Sequence, residues 1–297
     1  MERIALSDRL DLSRIIYGMW RLTDDNDTSV KHVQAKIEAC LDQGITSFDQ
    51  ADIYGGYTSE TLLGQCLKQA PSLRGQMEII TKCNIVAPCG IHADKRLKHY
   101  NSSEKYINQS VERSLREMSI DDIDLLLLHR PDPLLDANET GTALDKLVQS
   151  GKVKAIGVSN FRPWDIDLLQ SRMSNKLVTN QIEISLAENS ALTNGDLAHL
   201  QQRRIASMAW SPLAGGSLFQ EPHCDLSLTL NKMAEACSVD TASLAIAWLL
   251  KHPANIMPIM GSNNIQRIKS FSKALEIELD RQSWFELYEA ANGREVA

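Results

Sequence analysis

The chain has 297 residues, a formal net charge of -7, 43% hydrophobic residues and 23% charged residues. That profile fits a globular chain with enough material for one large α/β domain or two ordinary ones. It shows no basic block for nucleic acid, no apolar run near the roughly 18 residues of a membrane helix, and no apolar centre of a signal peptide in Met1–Asp8. A cytoplasmic protein without membrane or nucleic-acid partners is therefore expected. Cys40, Cys66, Cys83, Cys89, Cys224 and Cys237 form no CxxC pair, which agrees with reduced thiols in that compartment.

In chain order, Ile4–Leu12 reads as a small hairpin covering the bottom of the fold. Short apolar runs then alternate with amphipathic segments. Candidate strands are Arg14–Met19, Ile45–Asp49, Glu78–Lys82, Ile123–His129, Val153–Ser159, Val178–Ile184, Ala206–Ser211 and Ile256–Gly261. Candidate helices between them are Val33–Gln43, Thr61–Gln69, Ser103–Met118, Ala143–Gln149, Asp165–Ser171 and Asp196–Arg203. Ala242–Lys251 and Gln282–Ala291 read as later helices. Gly44 and Gly151 sit at helix C′-like positions, and Pro163 at a first helical turn. Strand-helix alternation implies parallel strands with right-handed crossovers. About eight repeats predict a closed (β/α)8 TIM barrel, as a single domain with no linker and no long tail. Asn84–Asn101 reads as a long polar loop on the active face, suited to substrate binding or simply tolerated there.

Three of the strands end in a polar group. Phe48-Asp49 leads into Tyr54-Gly55, Ile79-Ile80 into Thr81-Lys82, and Leu127-Leu128 into His129. Each residue alone has an ordinary reading: Asp49 as a loop acid, Tyr54 as turn packing, Lys82 as a snorkelling strand-end lysine, His129 as a satisfied strand-end histidine. Together, at the same ends of neighbouring strands, they form a proton-donating set. A free tyrosine holds its proton with a pKa near 10, and a nearby ammonium is expected to lower that value. Asp49 would hold the amine, and His129 would orient a substrate oxygen. Such a set suits a reaction that develops an alkoxide. No GxGxxG follows a strand, and no nucleophile elbow or HExxH motif is present. His92, His99 and Cys89 are scattered in the long loop, so no metal is expected.

These motifs make the chain resemble an aldo-keto reductase along nearly its whole length. The likeness continues in order through Leu127-Leu128-His129-Arg130-Pro131-Asp132, Gly157-Val158-Ser159-Asn160-Phe161, Asn180-Gln181-Ile182-Glu183, Trp210-Ser211-Pro212-Leu213 and Pro258-Ile259-Met260-Gly261-Ser262. The His-Arg-Pro-Asp-Pro run and Gly215-Gly216 resemble the bacterial YdhF-type branch. The resemblance implies an NADPH-dependent oxidoreductase that reduces aldehydes or ketones, with Tyr54 as proton donor, Lys82 and Asp49 tuning it, and His129 orienting the carbonyl. It implies that Ser159, Asn160 and Gln181 hold the nicotinamide carboxamide and that Trp210 stacks on its ring, where the family commonly has tyrosine. Ser211 and Leu213 would line the pyrophosphate path. Ser262 and Arg267 match positions that select NADP(H) over NAD(H), although Gly261 stands where many members carry lysine. Trp20, the 84–101 loop and Ser217–Leu226 would form the substrate rim. A small carbonyl compound is the expected partner, and a monomer is favoured. Two other readings remain open: a nicotinamide-binding sensor with slow turnover, and another barrel enzyme using Lys82 in a Schiff base.

Overall fold

The computed structural model describes residues 1–220 and 225–297. Eight parallel strands close into a barrel: Ile16–Gly18, Ser47–Asp49, Glu78–Cys83, Ile123–Leu128, Val153–Ser159, Leu177–Glu183, Ala206–Trp210 and Met257–Met260. They succeed one another around the ring in chain order, and the last pairs with the first through Ile259 and Ile16. Every expected strand is present, each trimmed or shifted by a few residues at most. Cys224 lies outside the described residues, as does part of the Ser217–Leu226 rim.

Helices wrap the outside. The helix Glu104–Met118 begins at Ser103, whose side chain accepts a bond from the Tyr106 N–H, and buries Ile107, Val111, Leu115 and Met118 on one face. Such a cap satisfies a donor that the first helical turn leaves orphaned. It meets the helix Ser59–Gln69 at backbone contact, since a Cβ on Gly64 would fall 1.9 Å from the Glu117 carbonyl oxygen. Gly44 and Gly151 do take left-handed backbone, and Pro163 opens its helix.

Apolar burial falls into two groups. One fills the space between barrel and helices. The other fills the barrel interior, where Ile16, Ile80, Leu125, Leu127, Met208 and Met257 meet Ile4, Leu10 and Leu12. Those last three come from the hairpin Arg3–Ser7 and Leu10–Ser13, which closes the bottom as expected. Each such side chain contributes about 1.5–3 kcal/mol when fully buried. Arg3 ties the hairpin down by donating to Thr46, Glu78 and the Asp11 carbonyl, each at 2.8 Å.

Three local expectations are corrected. The long loop contains its own ladder, Ile85–Val86 against His99–Tyr100, with a single 3-10 turn between. The helix ending at Gln149 starts at Ala137, capped by Asp136, not at Ala143. A further helix, Asp225–Ala236, takes in the end of the Ser217–Leu226 stretch expected as rim. No single described helix is long and apolar enough to cross a membrane.

Candidate active site

The top of the barrel opens into a cleft of about 1130 Å³. Strand register sets its floor. Asp49 ends the second strand and lies beside Ile80 of the third, whose Lys82 lies beside Leu127 of the fourth. His129 comes immediately after that strand. Tyr54 enters from a tight turn in which Gly55 and Gly56 take φ of 60° and 62°. A Cβ on Gly55 would meet Thr23 Cγ2 at 2.4 Å, so only glycine lets the turn close here.

The four side chains converge. Lys82 is fully buried and Asp49 is 2% exposed. Lys82 Nζ donates to Asp49 Oδ2 at 2.6 Å, to the Gln50 carbonyl at 2.9 Å and to the Tyr54 hydroxyl at 2.9 Å. An ammonium has three N–H donors, so all are used. Because the Tyr54 oxygen accepts from Lys82, its own hydrogen is left to the cleft or to Asp49 Oδ2, a long 3.5 Å away. The Tyr54 and His129 rings meet edge to face with centroids 6.0 Å apart. Asp49 Oδ1 accepts from Gln181 Nε2 at 2.8 Å, a bond between barrel strands two and six that no local spacing announces.

The electrostatics correct one expectation. Tyr54 retains some contact with the cleft but sits well below its mouth, and burial together with the Asp49 carboxylate holds its phenol well above the ordinary value. Lys82 donates to the same oxygen at 2.9 Å, but burial and the Asp49 carboxylate outweigh its pull and the net shift is upward. Burial pulls Lys82 down from its usual value while Asp49 opposes that shift. His129 is held well below the usual histidine value by burial and by the Lys82 and Arg130 cations. It is a neutral imidazole, and its Nδ1 has no protein partner among the described residues.

The remaining candidates line the same cleft. Ser159 Oγ donates to the Gln181 carbonyl at 2.8 Å, and Asn160 Nδ2 donates to Ser159 Oγ at 2.8 Å. Trp210 forms a wall beside them. Ser211, Leu213, Gly261, Ser262 and Arg267 carry the cleft outward, and Trp20, 58% exposed, stands at its mouth. Lys82 alone among the candidates does not line the cleft but lies behind Asp49 and Tyr54. A Schiff base on Lys82 would require an amine that reaches the substrate, and this one does not.

The cleft also takes in residues that spacing did not single out. Arg130 and Lys98 place two cations at the mouth, Arg130 with its guanidinium 5.8 Å from the Trp210 ring centre. Arg130 directly succeeds His129 in the chain, so its neighbour could have pointed to it; Lys98 has no signal beyond its place in the long loop. His92 packs between Tyr57 and Tyr106 and shares a 3.2 Å hydrogen bond with the Tyr106 hydroxyl.

The model of the aldo/keto reductase family matches residues 14–292. The chain belongs to that family. This aldo/keto reductase is 62% identical over 297 residues, covering 100% of both chains, to a 6-dehydroglucose reductase of Agrobacterium fabrum. It is 42% identical over 299 residues to the oxidoreductase YdhF of Escherichia coli, covering 100% of this chain and 99% of the other, which places the expected branch on firm ground. Among solved structures, an aldo/keto reductase from Klebsiella pneumoniae in complex with NADP and acetate matches with a TM-score of 0.77 and 26% identity, covering 93% of this chain and 90% of that one.

Proposed function

We propose that this aldo/keto reductase is an NADPH-dependent reductase of a sugar-sized aldehyde, with 6-dehydroglucose as the leading substrate and Tyr54 as the proton donor. The observation that carries the reading is the hydrogen-bond direction at Tyr54. Its oxygen accepts from Lys82, and its proton has only a long 3.5 Å contact to Asp49 Oδ2 to leave for an acceptor in the cleft.

The cleft fits a dinucleotide along its length. Trp210 offers a flat aromatic face, Ser159, Asn160 and Gln181 offer amide and hydroxyl partners beside it, and Arg267 offers an exposed cation at the outer end. Gly261 leaves room there, since a Cβ on it would meet only the Gly18 carbonyl oxygen, at 3.4 Å. In this reading Ser211 and Leu213 flank the pyrophosphate, while Ser262 and Arg267 take the ribose phosphate through charge-assisted bonds. When bound, the reduced nicotinamide supplies a hydride to the carbonyl carbon.

The chain's own residues do the rest. Neutral His129 and the Tyr54 hydroxyl point the carbonyl oxygen at the floor. As that oxygen gains charge it becomes a stronger base than a phenolate, so Tyr54 gives up its proton even though burial holds it tightly. The C=O bond becomes a C–O–H, and the Tyr54 phenolate left behind is held by the Lys82 ammonium until solvent restores its proton. Asp49 keeps that ammonium charged. At the mouth, Trp20 presents an apolar face to a pyranose ring, and Arg130 and Lys98 present donors to its hydroxyls.

NADPH oxidation measured over a panel of aldehydes that includes 6-dehydroglucose, beside NADH, tests this. Rapid turnover of the sugar aldehyde with NADPH supports it. Tight cofactor retention with negligible turnover on every aldehyde would replace it with the sensor reading.

A further inference from the structure

Asn160 is held at its backbone N–H and at both polar atoms of its side chain. It sits in left-handed backbone, φ 61°, a conformation asparagine tolerates better than most residues. Its backbone N–H donates to the Gln181 carbonyl at 2.9 Å. Its side-chain Nδ2 donates to Ser159 Oγ at 2.8 Å and to the His129 carbonyl at 3.3 Å. Its Oδ1 accepts from the indole Nε1–H of Trp210 at 3.0 Å.

Two of these partners leave no ambiguity. An indole N–H only donates, and a backbone carbonyl only accepts. They stand at opposite ends of one amide, so the amide cannot flip without losing both bonds. Both Nδ2 hydrogens are then spent. One lone pair on Oδ1 remains, and Asn160 lines the cleft. The only thing Asn160 can offer a ligand is an acceptor.

We infer that Trp210 is a positioning residue as well as a wall. Its indole N–H locks the Asn160 amide so that Oδ1 faces the cleft as an acceptor for a ligand N–H. A phenylalanine at position 210 would preserve a flat apolar face but release the amide to rotate. The inference rests on the proposed cofactor, whose carboxamide NH2 is the donor this acceptor suits.

The test is a double-mutant cycle on NADPH binding, read by calorimetry with Trp210→Phe, Asn160→Ala and the pair. A single net hydrogen bond corresponds to a change of about three- to tenfold. Trp210→Phe should therefore raise the NADPH dissociation constant by about three- to tenfold in the wild-type background and hardly at all in the Asn160→Ala background, because the lock acts only through Asn160. A second readout uses the reduced 3-acetylpyridine analogue of NADPH, which carries a methyl where the carboxamide has NH2. The wild type should discriminate against it, and Trp210→Phe should discriminate less. A third needs no cofactor: the Trp210 indole N–H should exchange slowly with solvent in the wild type and faster in Asn160→Ala, which also covers the case of a Trp210→Phe protein that does not fold. Equal weakening by Trp210→Phe in both backgrounds, unchanged affinity, or indole exchange indifferent to Asn160 overturns the lock while leaving the reductase reading intact. A wild-type protein that binds neither NADPH nor NADH overturns both.

Discussion

Lys82 is the residue whose removal has the most calculable outcome. Lys82→Met keeps the buried aliphatic stem but deletes three hydrogen bonds, and it leaves the Asp49 carboxylate, 2% exposed, without its cation. Breaking one half of a buried ion pair costs about 3–5 kcal/mol. Asp49 retains the Gln181 amide at 2.8 Å, which places the loss toward the lower end, at about 3 kcal/mol. Turnover should fall about 10²–10⁴-fold, the range associated with a general acid, because the phenolate left by proton transfer loses the ammonium that holds it. Adding Asp49→Asn removes the stranded charge. The double variant should recover most of the stability and none of the turnover. Urea unfolding monitored by circular dichroism at pH 7 reads the first quantity, and NADPH oxidation reads the second. A single variant as stable as the wild type, or a double variant no more stable than the single, would mean that Lys82 and Asp49 are not a coupled buried pair. A fully active single variant would remove Lys82 from the chemistry.

Tyr54→Phe keeps the ring and removes the proton. It should bind NADPH with unchanged affinity by fluorescence titration while kcat falls about 10²–10⁴-fold, and a near-wild-type kcat would dismiss Tyr54 as donor. Arg267→Ala should weaken NADPH by about ten- to a hundredfold, as expected for one charge-assisted bond, and barely change NADH; equal losses would tie Arg267 to the fold or to the shared adenosine. Behind the site, Glu60 accepts from Thr81 Oγ at 2.6 Å and from Ser114 Oγ at 3.0 Å, and burial raises its carboxyl from the usual 4.5 to about 7. A folded value above the unfolded one means that the stability is full below about 4.5 and is lost as pH rises through about 7. Glu60→Gln should flatten that decline by about 3 kcal/mol between pH 5 and 8 in urea titrations, and a slope unchanged by the substitution would show that Glu60 does not titrate there.

The barrel and the floor of its site were legible because the signal was local. Asp49, Lys82 and His129 each close an apolar run at the same end of neighbouring strands, and that recurrence marks one rim of the barrel. What was not legible depends on distances across the fold. The sign of the Tyr54 shift turns on how deeply the phenol is buried and on the nearness of the Asp49 carboxylate, and the Gln181–Asp49 bond joins strands separated by more than a hundred positions. Two helices are short or absent in the sequence reading. The stretch expected as rim runs through Leu226 with no element placed between it and Ala242, yet Asp225–Ala236 is a helix. Asn138, Thr140 and Gly141 are weak helix formers and hide the opening of a helix that Asp136 caps firmly.

Among the described residues, the hairpin seated under the barrel closes the end opposite the cleft. Arg3, Ile4, Leu10 and Leu12 seal the far end, so whatever rests on Asp49 and Tyr54 must leave by the way it came. A cofactor and a carbonyl bound as proposed would have to share that one side of the barrel, so ordered arrival and departure is the expected pattern, and inhibition patterns measured with pairs of ligands would read it out.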